Sequence, residues 1–302
     1  YGTNLLLSPA SPYTVIEADE FDRSFHWLSP YMSVITSTDP DHLDIYGTRE
    51  AYLESFRHYT TLIQPGGALI IRKGLALQPD VQPGVRTYTY SRDEGDFHAE
   101  NIRIGNGEIV IDFIAPDTRI NDIRLGVPIG INIENGVAAM ALAHLNGVTD
   151  EEIRQGMASF RGVDRRFDFK IKTDRLVFLS DYAHHPAEIA QSVKSIRELY
   201  RDKKITAIFQ PHLYTRTRDF YKDFEVILTE IYPAREQPIP GVSSQLIYDN
   251  LRPGIEKCIC RKEDIPDLLS KKPVEVLIVL GAGDLDNYVP SIARLLEQRS
   301  KA

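Results

Sequence analysis

The feature that most restricts the fold is a series of short apolar runs separated by helical stretches. They are RLVFLSD (175–181), KITAIFQ (204–210), EVILTEI (225–231), GIEKCIC (254–260) and VEVLIVLGAG (274–283). A strand with one wet face alternates apolar and polar residues, whereas a run apolar at consecutive positions is buried on both faces. Helices are expected over 186–201, 242–250, 261–271 and 288–300, between and after these runs. This order predicts a doubly wound α/β domain with a parallel sheet covered on both sides. Ligands then bind beyond the carboxyl ends of the strands, so the residues following each run are the ones to search for chemistry.

The first half has a different pattern. YTVIEAD (13–19), MSVITST (32–38) and GALIIRK (67–73) read as strands around an amphipathic helix at 48–63. Segments 85–91, 97–104, 108–115 and 119–127 alternate in polarity around the turn Gly105-Asn106-Gly107, which predicts an antiparallel patch. Helices follow at 132–146 and 150–159, the second entered through Thr149-Asp150-Glu151-Glu152, the pattern of a capping box. The change of character near residue 160 suggests two domains, and 302 residues are enough for both.

Several functional classes are disfavoured. The formal net charge is −8, with 35 Lys and Arg against 43 Asp and Glu and no long basic run, so no nucleic-acid partner is expected. The longest apolar stretch, around Val276–Leu280, is far too short to span a membrane, and no membrane partner is expected. The two cysteines, Cys258 and Cys260, form neither a zinc pattern nor a disulfide framework, which suggests a reducing, cytoplasmic setting. The chain starts on Tyr rather than Met, so it reads as processed or as part of a longer protein.

Candidate chemistry collects at the expected strand ends. Glu17, Asp19, Glu20 and Asp22 lie at and just beyond the end of the first run, and Asp39, Asp41, His42 and Asp44 follow the second. These read either as a solvated acidic turn or as a Mg²⁺ site beside phosphates. Between the halves, Gly162, Arg165 and Arg166 form a linker whose cations suit a phosphate when a domain closes over it. Asp181, Tyr182, His184 and His185 follow one strand of the second half, and His212, Arg216 and Arg218 follow the next. Adjacent loop histidines without further ligands are a poor zinc site. Arg235, Glu236 and Ser243 lie in a Pro-rich loop. LGAGD looks like a phosphate turn but lacks the third glycine of a dinucleotide fingerprint, and no Walker A sequence occurs.

Taken together and in order, EADEFDRSF, TDPDHLD, FRGVDRRFD, DYAHHPAE, FQPHLYTRTRDF and YPAREQPIPGVSS resemble the Mur ligases of peptidoglycan synthesis, especially the branch acting on L-alanine. The resemblance spans nearly the whole chain. It implies an incomplete central P-loop-type ATPase domain over 1–161, with a mixed sheet and an antiparallel patch but without its P-loop. A Rossmann-like C-terminal domain over 162–302 follows. The implied reaction is ATP-dependent amide formation: ATP phosphorylates the carboxylate of UDP-N-acetylmuramate, and the amine of L-alanine displaces phosphate from the acyl phosphate. By the same resemblance Glu17 and His42 bind Mg²⁺, and Asn132 and Asn135 contact adenine, although Ile131 stands where the family usually has His. Arg165, Arg166 and Asp181 face ATP. Tyr182, His184, His185 and Arg216 line the substrate pocket, with Leu213 replacing a frequent second substrate Arg. Glu17, His42, Arg166 and His184 carry the catalysis. Residues are expected to be missing between Phe224 and Glu225, and the 302 residues alone are expected to lack activity. The alternatives are a ligase that recycles a preformed tripeptide onto the same sugar nucleotide, and a nucleotide-binding fragment without turnover.

Overall fold

The computed structural model describes residues 7–40, 42–184, 186–211, 225–234, 237, 239–251 and 253–301. By contact the chain divides into two compact units, Tyr1–His98 and Ala99–Ala302.

In the first unit, strands β1 (Met32–Ile35), β2 (Ala68–Arg72) and β3 (Arg86–Tyr90) form a parallel sheet in that order. A short helix, α1 (Leu43–Tyr46), precedes the longer α2 (Arg49–Thr61). Thr48 starts α2 by accepting a hydrogen bond from the Ala51 amide at 3.1 Å, which satisfies one of the unpaired donors of the first turn. The core joins Phe25, Ile35, Tyr59, Ile63, Leu69, Ile71 and Leu77.

Two expectations fail in this unit. Segment 13–19 forms no strand, and Val15 is 90% exposed. An extended segment keeps strand form only by pairing its backbone, and among the described residues this one pairs with no strand. Segment 85–91 does form a strand, but it joins β2 in parallel rather than entering the antiparallel patch. Alternation reports one exposed face, which an edge strand such as β3 has in either direction.

In the second unit, β4 (His98–Gly105, starting at the unit boundary), β5 (Glu108–Ile114) and β6 (Arg119–Arg124) make the predicted patch, with β5 and β6 antiparallel. Asn106 and Gly107 both have positive φ, 51° and 74°, as a tight two-residue hairpin turn requires. Helices α3 (Ile131–Leu145) and α4 (Asp150–Ser159) follow. Thr149 and Glu152 form the complete capping box, each side chain bonded to the other's backbone amide.

The remaining strands are β7 (Asp168–Lys172), β8 (Val177–Asp181), β9 (Ile205–Phe209), β10 (Glu225–Leu228), β11 (Lys257–Ile259) and β12 (Val276–Leu280). They form one sheet in the order β11-β10-β9-β12-β8-β7, parallel except for β7. Helices α5 (Pro186–Leu199), α6 (Ser244–Asn250), α7 (Ile265–Ser270) and α8 (Val289–Lys301) match the four expected. Strands β8, β9 and β12 are buried at every position, β12 being apolar throughout while β8 and β9 also bury Ser180, Asp181 and Thr206. The strand missed in the sequence is β7, whose DFKIK is half polar because it lies on the sheet's edge. Among the described residues no helix is long and apolar enough to cross a membrane.

Candidate active site at the carboxyl edge of the second sheet

The register between β8 and β12 pairs Asp181 with Leu280, which brings the two strand ends side by side. Asp181 is buried, and its carboxylate accepts hydrogen bonds from the Ser192 hydroxyl and, at 3.4 Å, from the Ala183 amide. Burial pushes the Asp181 carboxyl up, while Ser192, the backbone amides of Phe167 and Ala183 and the charge of Arg166 pull it back.

Both linker arginines converge on Tyr182. The Arg165 and Arg166 guanidinium carbons lie 4.8 and 5.6 Å from the ring centroid, so one aromatic ring orients two cations. The Tyr182 amide donates to the Arg165 carbonyl at 2.6 Å. His184 packs edge-on against Tyr182, with ring centroids 5.2 Å apart. Its Nδ1 lies 3.1 Å from the Tyr182 carbonyl, which can only accept, so Nδ1 carries the proton. The His184 amide donates to Glu188 at 3.1 Å. Four of the expected residues, Arg165, Arg166, Tyr182 and His184, therefore form one cluster beside Asp181.

Asn132 and Asn135 lie on the first turns of α3. The Asn132 amide donates to the Val127 carbonyl at 3.1 Å. A Cβ on Gly162 would stand 3.0 Å from Val127 Cγ2, so the start of α3 and the linker meet at Val127.

The acidic residues of the first unit are less assembled. His42 has a left-handed backbone and lies 3.8 Å from Glu20, with Phe21 edge-on to its ring at 5.0 Å. Glu17 is exposed in irregular chain. No group of three or more His, Cys, Asp or Glu suited to a metal occurs among the described residues. Mg²⁺ bound beside a nucleotide needs only one or two protein ligands, because phosphate and water supply the rest. Glu20 beside His42, with further carboxylate donors in the same 17–22 segment, fits that requirement in donor type. Asp41, His185, His212, Leu213, Arg216, Arg218, Phe224, Arg235 and Glu236 lie outside the described residues.

Sequence reasoning passed over a network at the ends of β9 and β12. Buried Gln210 donates to Asp284 at 2.8 Å and accepts from the Leu285 amide at 2.9 Å, while Lys262 meets both Asp284 oxygens at 2.7 Å. Asp284 is consequently held below the usual carboxylate range despite its partial burial. A Cβ on Gly283 would lie 2.4 Å from Gln210 Oε1 and 2.7 Å from Tyr232, so this glycine of LGAGD is required by close packing. Only the polar ending of each apolar run hinted at these residues. Two cavities of about 560 and 540 Å³ lie at the opposite, amino edge, lined by residues such as Lys204, Glu225 and Glu256, or Lys172 and Tyr200. None of the clustered site residues lines them.

The sequence matches the Mur ligase middle domain over residues 5–143 and the Mur ligase glutamate ligase domain over 165–283. It is 75% identical to the UDP-N-acetylmuramate–L-alanine ligase of Phocaeicola vulgatus, across 99% of this chain and 67% of the relative. Identity to the enzyme of the same name from Parabacteroides distasonis is 57%, across 98% of this chain and 66% of the relative. The chain thus spans about two thirds of these curated relatives. In fold it is similar to the crystal structure of the UDP-N-acetylmuramate–alanine ligase MurC from Thermotoga maritima, with a TM-score of 0.76 and 23% identity over 93% of this chain and 63% of that one. The chain belongs to the Mur ligase family.

Proposed function

We propose that the protein joins L-alanine to UDP-N-acetylmuramate at the expense of ATP, in the synthesis of peptidoglycan precursors. The observation that carries this reading is the 75% identity to a relative of that name along 99% of the chain. The cluster of Arg165, Arg166, Tyr182 and His184 beside Asp181 supports it, because two oriented cations suit a transferring phosphoryl group.

In this reading Arg165, Arg166 and Asp181 face the phosphates, and Asn132 and Asn135 face adenine. Glu17 and His42 hold Mg²⁺, which would supply charge neutralisation of the phosphates when bound. Tyr182, His184, His185 and Arg216 shape the substrate pocket. The carboxylate of the sugar nucleotide receives the γ-phosphoryl group, and the alanine amine then attacks the acyl carbon, releasing phosphate and losing a proton. The functional domains divide at 161/162, and the reaction takes place in the cytoplasm.

Competition between L-alanine and a preformed tripeptide tests the reading. In the protein as its gene encodes it, ADP formation with UDP-N-acetylmuramate should depend on L-alanine, and preference for the tripeptide would favour the recycling alternative. Tyr182→Ala should admit larger amino acids, and unchanged selectivity would remove Tyr182 from the pocket.

A further inference from the structure

Arg165 is restrained more heavily than a solvated linker residue needs. Its backbone is left-handed at φ 65°, within a segment where Gly162 and Phe167 also have positive φ, 83° and 47°. Such a conformation is unfavourable for a residue with a Cβ and persists only where the surroundings enforce it. Here the Arg165 amide donates to Asp168 at 3.3 Å, and its carbonyl accepts from the Tyr182 amide at 2.6 Å. The side chain is held too. Its Cζ lies over the Tyr182 ring, and its Nε lies 3.3 Å from a carboxylate oxygen of Asp286. In contrast, Nη2 is buried and has no hydrogen-bond partner among the described residues. A buried charged donor without an acceptor is costly, and an anionic ligand would remove that cost.

We infer that Asp286 is a positioning residue: it holds Arg165 so that a guanidinium N–H faces a phosphate group of the nucleotide substrate. Asp286 reaches Arg165 because β12 pairs directly with β8, which places the turn at Asp284–Tyr288 beside the Tyr182 loop. Asp286 takes Nε and Tyr182 covers the face of the guanidinium, leaving the remaining N–H groups to the ligand. Lysine cannot reproduce this arrangement, because an ammonium has neither the fixed fork nor the flat face. The inference rests on the ligase reading for the identity of the nucleotide, but the restraint of Arg165 is independent of it.

The test is a double-mutant cycle with Asp286→Asn and Arg165→Ala, with Arg165→Lys as the charge-retaining control, read in two ways. The first readout is the rise in thermal midpoint caused by pyrophosphate, which requires no turnover. The parent should be stabilised, Arg165→Ala and Arg165→Lys should not, and Asp286→Asn should need about tenfold more pyrophosphate. The second is steady-state kinetics on the protein as its gene encodes it. Asp286→Asn should raise KM for one nucleotide about tenfold with kcat changed less than threefold, and Asp286→Glu should recover part of the loss. A rise for ATP or for UDP-N-acetylmuramate identifies which ligand supplies the phosphate. The double variant should be no worse than Arg165→Ala alone, because Asp286 acts through Arg165. Additive losses, or a folded Asp286→Asn protein with parental pyrophosphate response and KM values, would overturn the inference. A pyrophosphate cycle that holds in a protein without alanine ligation would overturn the proposed function and leave this inference standing.

Discussion

The acidic segment of the first unit and the carboxyl edge of the second sheet differ in how far the fold itself fixes their side chains. Around Glu17 the chain is irregular and exposed, and His42 meets Glu20 at 3.8 Å. Around Asp181 every strand is paired, the carboxylate is buried and hydrogen-bonded, and Tyr182 organises two arginines and a histidine. The comparison teaches where preorganisation lies: the cationic cluster of the second unit is built by its sheet, whereas the acidic segment of the first unit offers donor chemistry without a fixed frame.

Core substitutions should separate the two regions most strongly. Phe178 is fully buried in β8, so Phe178→Ala should cost about 3–5 kcal/mol, measured by urea unfolding. Ile16, 58% exposed in the irregular segment, should change stability by less than about 0.5 kcal/mol on conversion to Ala. Equal losses would mean that the 13–19 segment is packed in solution. Glu17→Ala should reverse the ranking for activity, lowering substrate-dependent phosphate release roughly 100-fold, the scale on which a transition-state electrostatic contact acts, with its urea midpoint unchanged. Retained activity would remove Glu17 from the proposed metal site and turn attention to Glu20.

Smaller effects sharpen the account of the second unit. Thr149→Ala removes one arm of a complete capping box and should cost about 1 kcal/mol in urea unfolding. At the amino edge of the sheet, Lys204 and Lys272 lower the Glu256 carboxyl to about 2. A carboxyl depressed in the folded state adds stability above its unfolded pKa and loses it as pH falls toward the folded value. Glu256→Gln should therefore slightly flatten the fall in thermal midpoint from the ordinary glutamate range down to about pH 2, the effect being small because the side chain is 53% exposed. An unchanged acid limb would show the two lysines to be held by Glu225 alone.

The legibility of the sequence followed burial. Runs such as VLIVL announce a doubly covered strand because they are short, rich in β-branched residues and bounded by turn signals, and β8, β9, β10, β11 and β12 all form where expected. The capping box and the Asn106-Gly107 turn were readable because their chemistry is local. YTVIEAD failed because its apolar character matches a strand while strand formation depends on a partner that local sequence does not specify. Edge strand β7 escaped notice for the converse reason, its polar residues masking a paired backbone. Among the candidate residues, the clustering of Arg165, Arg166, Tyr182 and His184 beside Asp181 was legible from position at a strand end or in the linker. Gln210, Lys262 and Asp286 were not, since their importance comes from contacts across 74, 22 and 121 positions of the chain.

The most direct measurement is phosphate release by the protein as its gene encodes it, with ATP, UDP-N-acetylmuramate and L-alanine supplied together and then omitted one at a time. The account predicts release only when all three are present, with UDP-N-acetylmuramoyl-L-alanine appearing in equal amount. Release that persists without L-alanine, or that yields no such amide, would contradict it.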